Sequence, residues 1–291
     1  MTFRTWSTVV SQATDADFRT WGVEFESYLV QVGLVQTADT GQINWTTVVR
    51  AGVGTEAGYS MFSFTDSIGT LYFRFGYGSG GATTIPRIQV AVGQGTNGAG
   101  TLTGISSATT TVTGSAITST STLYTSYMCM VNGVFWFMWK IGTGGSANAN
   151  RGGFVFQRSF TSLGVVDGAG GYASWGAYSA ATSGLQYFGY SSGTAYAAHT
   201  ITSSYPCVIP GRVTSSSVGA NYQVYLHWLA VPDVRPCVGS CTAIASEVSF
   251  GNQFTLAPCG NVSHNYICLG QAAIAETTAQ STIYSLCLIW E

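Results

Sequence analysis

Charge is what this sequence has least of. Only 8% of its 291 residues are Asp, Glu, Lys or Arg, where a soluble domain usually carries about 25%. Ten basic side chains stand against twelve acidic ones, for a formal charge of -2. Arg4, Arg19, Arg50, Arg74, Arg87, Lys140, Arg151, Arg158, Arg212 and Arg235 are scattered. A nucleic-acid groove needs a concentrated basic face to hold phosphates, so direct nucleic-acid binding is not expected. Long apolar runs are missing too: none approaches the roughly 18 residues of a helical span, and no membrane span is expected. The start of the chain, Met-Thr-Phe-Arg-Thr-Trp, lacks the basic region and apolar core of a secretory signal. Synthesis and folding in the cytoplasm are the default expectation.

The residues of common catalytic sites are also sparse. His199, His227 and His264 are the only histidines, and none belongs to an H-E-x-x-H set. His227, in Tyr-Leu-His-Trp-Leu, reads as a strand residue. No Gly-x-Ser-x-Gly elbow lies between a strand and a helix. A glycosidase would need two carboxylates across a cleft, and several of the twelve available fall in a predicted helix or at the terminus. Asp39, in Ala-Asp-Thr-Gly-Gln, suits a turn. The expectation is a protein that is not an enzyme, with no catalytic, metal or cofactor-binding residues and no cofactor.

Seven cysteines, at 129, 207, 237, 241, 259, 268 and 287, are an odd number. Reduced thiols are the ordinary cytosolic state. Cys237, Cys241, Cys259 and Cys268 leave a local disulfide or a zinc site open, although their spacing is not the C-x2-C pair of most structural zinc sites.

What is abundant is apolar and neutral polar. Hydrophobic residues make up 46%, which argues against disorder. The surface must then be built from Ser, Thr, Gly, Asn and Gln. Such a surface can be buried against neighbouring subunits without desolvating ions, a first reason to expect an assembly.

Residues 15–32 predict a helix, because Phe18, Trp21, Phe25, Tyr28, Leu29 and Val32 recur at spacings of three and four. Thr14 or Asp15 can cap its start and Gly33 can end it. It either packs on a sheet, fastening the N-terminus, or docks on a neighbouring subunit. Beyond it the period changes to two. Strands are expected at 59–64, 71–77 and 85–92, the last with Pro86 near its start and with Ile88, Val90 and Val92 facing away from Arg87, Gln89 and Ala91. Gly93-Gln-Gly-Thr-Asn-Gly-Ala-Gly has no lysine for a P-loop and opens no helix, so it reads as a tight turn. Residues 101–125 fit either short hydroxyl-rich strands or an extended arm.

The sharpest local signal is Asn132-Gly133, a favoured type I′ turn, which predicts a hairpin of 123–131 and 134–141. Phe135, Phe137 and Trp139 occupy one face of its second strand, and Val134, Trp136 and Met138 the other. A strand apolar on both faces belongs inside a sandwich or beneath a partner. Phe135, Trp136, Phe137 and Trp139, with Trp175, Tyr187 and Phe188 further on, are the interface or core candidates. Aromatics spaced by Gly, Ala and Ser also suit a glycan platform, but no carboxylates cluster beside them. Further strands are expected at 152–160, 205–209, 221–229 and 281–290, with Asp167-Gly-Ala-Gly-Gly as a turn or loop.

The fold class expected is mainly β, a β-sandwich or jelly-roll-like set of antiparallel sheets with a short N-terminal helix. An N-terminal segment and helix at 1–33 would precede a β-rich body at 34–291, either one large β unit or two subdomains dividing near 190–215.

Two segments taken together resemble a widespread family of tailed-bacteriophage virion proteins: Leu34-Val-Gln-Thr-Ala-Asp-Thr-Gly-Gln-Ile-Asn-Trp-Thr-Thr-Val, and Gly93-Gln-Gly-Thr-Asn-Gly-Ala-Gly-Thr-Leu-Thr-Gly. Arg151-Gly-Gly-Phe-Val-Phe-Gln-Arg-Ser-Phe is similar to a third family segment. There an acidic residue often precedes the arginine, whereas Gln157 precedes Arg158 here, so a local acid–arginine pair is not carried over. The resemblance spans roughly residues 20–170. It implies a virion structural protein of the tail, baseplate or neck, forming homo-oligomers and contacts with other virion proteins. A host-attachment module binding a surface glycan and a capsid decoration or cement protein are the alternatives.

Overall fold

In the computed structural model, residues 14–80, 86–106 and 109–113 are described throughout; elsewhere the description covers the strands named below and Gly133. The strands are Thr2–Val9 (β1), Val35–Gln36 (β2), Glu56–Asp66 (β3), Gly69–Ser79 (β4), Pro86–Thr96 (β5), Leu102–Ser106 (β6) and Thr110–Thr113 (β7). Then come Leu123–Val131 (β8), Val134–Ile141 (β9), Arg151–Phe160 (β10), Val166–Gly176 (β11), Gly184–Phe188 (β12), Tyr190–Ser191 (β13), Thr194–Ala195 (β14) and His199–Ile201 (β15). Ile209–Gly211 (β16), Val213–Ser216 (β17), Val224–Leu229 (β18), Cys237–Ser246 (β19), Gln253–Leu256 (β20), His264–Cys268 (β21) and Tyr284–Ile289 (β22) complete them. One helix, α1, spans Asp15–Gln31.

The fold is mainly β, with antiparallel sheets and one short helix. One sheet runs β2-β3-β4-β5-β6, with β7 also on β5; a second runs β1-β8-β9-β10-β11-β12-β15; a third runs β16-β18-β19-β22-β21-β20-β17. The small pair β13-β14 stands apart from these paths.

Helix α1 forms where the spacing places it. Thr14 Oγ1 accepts from the Asp17 amide at 3.1 Å, and the Thr14 amide donates to Asp17 Oδ2 at 2.9 Å. This reciprocal capping box satisfies two donors that would otherwise be orphaned. Gly33, just past the end, takes φ +106°, a left-handed conformation that glycine adopts without penalty. Phe18, Trp21, Phe25 and Leu29 are buried, and Tyr28 packs at the margin. The stripe therefore lies on the protein's own sheets.

The core is aromatic and continuous between the first two sheets. Phe73 of β4 meets Phe135 of β9 and Phe156 of β10 at centroid distances of 5.3 and 5.5 Å, both edge to face. Phe25 of α1 meets Phe137 of β9 at 5.3 Å. Each fully buried ring contributes roughly 1.5–3 kcal/mol from area alone, and edge-to-face pairs add to that. In β5, Ile88, Val90 and Val92 are fully buried while Arg87 and Gln89 are half-buried, as the alternation predicts, but Ala91, expected on the same face as Arg87 and Gln89, is buried as well.

Three expectations change. β5 continues through Gly93 and Gly95 to Thr96, so the tight turn is confined to 97–101. The Gly95 position is open to a ladder because its missing side chain leaves room for Thr103 Oγ1, 2.6 Å from where a Cβ would lie. Asp167-Gly-Ala-Gly-Gly lies inside β11 rather than in a loop, because the chain pairs with β10 from Val166 to Gly176 through a register shift near Arg158. Residues 2–9 form an additional strand, paired with β8 from Thr2↔Met130 to Val9↔Leu123. Of the expected 205–209 strand only Ile209, the first residue of β16, lies among the described residues.

Candidate functional site

Asp39 is the node at which two distant segments join. It lies in the 37–42 loop between β2 and β3 and is only 8% exposed. Its Oδ1 accepts from Thr37 Oγ1 at 2.7 Å. Its Oδ2 accepts from the Thr96 hydroxyl and from the Gly100 amide, the latter at 3.0 Å. Thr40 donates its amide to Gly98 O at 2.8 Å, closing the junction with a main-chain bond. The 37–42 and 96–101 loops are thus one hydrogen-bonded unit. Burial pushes the Asp39 carboxyl up, but the bonds from Thr96, Thr37 and Gly100 outweigh it and hold the group below the ordinary carboxylate range.

Gln42 fastens the same unit to β3. Its Nε2 donates to Thr37 O at 2.8 Å and Asp39 O at 3.1 Å, while its Oε1 accepts from the Met61 amide at 2.9 Å. Tyr59, also on β3, donates its hydroxyl to Thr40 O. The Arg74 guanidinium lies 4.8 Å above the Tyr59 ring, donates from Nε to Gly100 O at 3.0 Å, and pairs with Glu56 at 2.6 Å. Gly100 has φ +81°, and a Cβ there would sit 2.1 Å from Tyr59 Cζ. Both conditions require glycine.

The second polar junction joins the sheets. Arg158 of β10 is 1% exposed and donates from Nε to Asp66 Oδ2 at 2.7 Å, from Nη2 to Asp66 Oδ1 at 3.0 Å, and from Nη2 to Gly69 O at 2.7 Å. Asp66 also accepts the Ile68 and Gly69 amides of the β3–β4 turn, at 2.9 and 3.2 Å. Its partner is therefore 92 residues from Arg158, not beside it in sequence.

The hairpin supplies the apolar part. β8 and β9 pair from Tyr124↔Ile141 to Val131↔Val134, and Gly133 takes φ +75°. Phe135 and Phe137 lie in the central core. Trp136 faces the other way and is fully buried, cross-strand from the buried Cys129. Val134 and Trp136 of the second apolar face are thus buried within one chain, and the Met138 side chain lies outside the described residues. Trp139 pairs in register with Ser126 and Gly152, Trp175 with Phe154 and Gly184, Tyr187 with Tyr172 and His199, and Phe188 with Gly171. The side chains of these four lie outside the described residues. Cys237 and Cys241 share β19, Cys268 stands opposite Cys287 between β21 and β22, and Cys259 lies outside the described residues.

Sequence reasoning placed Asp39 in a turn but not its long-range partners, and treated the Asp66 turn as unremarked. The signal available was the pairing of the two motif segments, which the fold brings into contact. Chemically the arrangement holds one segment of the chain to another: hydrogen-bonded carboxylates, a stacked guanidinium and packed rings. Among the described residues no group of three or more His, Cys, Asp or Glu is placed to hold a metal, and no helix is long and apolar enough to cross a membrane. No protein family, curated protein or solved structure matches the chain.

Proposed function

We propose that this chain is a structural subunit of a tailed-bacteriophage virion, of the tail, baseplate or neck, with sheets closed as a sandwich and extensive contacts to other copies and other virion proteins. One observation carries the reading. The two segments on which the phage resemblance rests, 34–48 and 93–104, converge on Asp39 as a single locked unit. Segments with a shared structural task would be retained together, and this task is shape rather than chemistry. Low charge supports the same reading, since a chain with only 8% ionic residues presents a surface that can be buried against neighbours at small desolvation cost. The working location would be the virion, after synthesis in the host cytoplasm.

A host-attachment module and a capsid decoration protein are the alternative readings. Among the described residues, the exposed large apolar side chains are Val23, Val30, Val35, Val49, Val53 and Ile68, and the side chains of Trp175, Tyr187 and Phe188, on which a glycan platform would rest, lie outside the described residues. The test is peptide mass spectrometry of purified source particles, with copy number measured against the major capsid and tail proteins. A fixed multiple-copy stoichiometry that survives stringent washing supports the proposal. Absence from particles whose lysate contains the chain would refute it.

A further inference from the structure

Asn97-Gly98 stands at the tip of the Asp39 junction, and hydrogen bonds fix its conformation. Asn97 Oδ1 accepts the Ala99 and Thr101 amides at 2.8 and 3.1 Å, and the Asn97 amide donates to Thr101 O at 3.0 Å. The Gly98 amide donates to Thr96 Oγ1 at 3.1 Å, and the Thr96 hydroxyl in turn donates to Asp39 Oδ2. Gly98 O accepts the Thr40 amide at 2.8 Å and the Thr40 hydroxyl at 3.2 Å. Both residues are exposed, and a Cβ at Gly98 would meet nothing within 4 Å. Water reaches this dipeptide, so its restraint comes from hydrogen bonds and not from burial.

An Asn-Gly step is where a chain most readily modifies itself, because glycine has no side chain to hinder attack by its own amide nitrogen. The Gly98 nitrogen gives its proton to solvent and bonds to Asn97 Cγ; the Cγ–Nδ2 bond breaks, and Nδ2 takes a proton from water and leaves as ammonia. Water then opens the resulting succinimide. Addition at the Asn97 main-chain carbonyl gives isoaspartate, and addition at Cγ gives aspartate. In the closed junction each early move has a cost. Turning Cγ toward the Gly98 nitrogen takes Oδ1 off the Ala99 and Thr101 amides. Removing the Gly98 proton ends its bond to Thr96 and sets a second negative charge one hydroxyl away from the Asp39 carboxylate.

We propose that Asn97 is a gated self-modification site: it stays an amide while the 37–42 and 96–101 loops are locked, cyclises when they part, and as isoaspartate prevents them from locking again. Isoaspartate runs the main chain through Cβ and Cγ, which adds one atom between the Cα of residue 97 and the Gly98 nitrogen. Gly98 O then cannot return to Thr40 while the residue 97 amide stays on Thr101 O, the two main-chain bonds that close the unit. Local opening is the gate. The modification leaves a lasting mark of that opening, whatever assembly the chain joins.

The test incubates the full chain, native and urea-unfolded, at mildly alkaline pH and follows peptides covering residue 97 by mass spectrometry and enzymatic isoaspartate methylation. Asn97 should convert at least roughly tenfold more slowly in the native chain, because two ordinary hydrogen bonds to Oδ1 must be given up. Asp39→Ala removes the acceptor of Thr96 and Gly100 and should bring the rate toward that of the unfolded chain. Tyr59→Phe loses only the hydroxyl bond to Thr40 O; it should give a smaller acceleration and decides the matter if Asp39→Ala does not fold. Hydrogen exchange of the isoaspartate form should show the Thr40 amide unprotected, whereas Asn97→Asp, with an ordinary main chain, should keep it protected. Native conversion as fast as or faster than in the unfolded chain, no acceleration in the folded variants, or a protected Thr40 amide in the isoaspartate form would overturn the proposal.

Discussion

Arg158 and Asp66, 92 residues apart in the chain, share two hydrogen bonds of 2.7 and 3.0 Å across the space between the first two sheets. The arginine is 1% exposed and the aspartate side chain 22%, so the two ends of the pair are not equivalent. Losing Asp66 strands a guanidinium in the interior, whereas losing Arg158 leaves a carboxylate near water that still accepts the turn amides of Ile68 and Gly69.

Asp66→Ala should therefore destabilise by about 3–5 kcal/mol, the range for breaking a buried pair from one side. Arg158→Met, which removes the buried charge and keeps an apolar stem, should cost clearly less. Denaturant midpoints of the two variants check the order.

Gly98 and Gly100 offer a matched comparison within one turn. Both have positive φ, +78° and +81°, but a Cβ at Gly98 meets nothing within 4 Å while one at Gly100 collides with Tyr59. Gly98→Ala should cost about 1–2 kcal/mol from left-handed strain. Gly100→Ala should cost that and a further 1–3 kcal/mol for the overlap. Thermal unfolding of both variants measures the difference.

Asp39 sets an acid limit. Its carboxyl is held below 3.8 in the fold, despite burial, by Thr96, Thr37 and Gly100. The stability this contributes is fully present above the unfolded-state value and is lost as pH falls through the lower folded value. Asp39→Asn should lower stability at neutral pH and flatten the acid limb of a Tm-against-pH curve below about pH 4. An unchanged acid limb would assign the effect to other carboxylates.

Cys129 should resist modification. Its thiol is buried and pushed up to about 12 by that burial, so little thiolate exists near neutrality. Peptide-resolved alkylation should leave Cys129 unlabelled in the native chain and label it fully after denaturation.

Local periodicity made much of this fold legible. The 3,4 spacing of Phe18, Trp21, Phe25 and Leu29 gave α1, and Asn132-Gly133 gave the β8–β9 hairpin to the residue. Glycine-rich strands were harder. Gly93 to Thr96 and Asp167 to Gly171 carry turn residues, yet cross-strand pairing with neighbouring strands of the same chain holds them extended. The polar junctions were hidden for a different reason. Nothing near Arg158 signals Asp66, and nothing near Asp39 signals Gly100, because such partners are chosen by the fold and not by spacing. The double apolar face of β9 was visible, but its cover was not: Val134, Trp136 and Cys129 are buried within one chain, while the side chains of Met138 and Trp139 lie outside the described residues.

Cryo-electron microscopy of the intact source particle, with this chain traced, is the most direct measurement. The expected map shows it as a repeated subunit of the tail, baseplate or neck, with neutral polar surfaces buried between copies and the Asp39 junction intact. Density for every virion component without this chain, or the chain attached with little surface buried against its neighbours, would contradict a structural role.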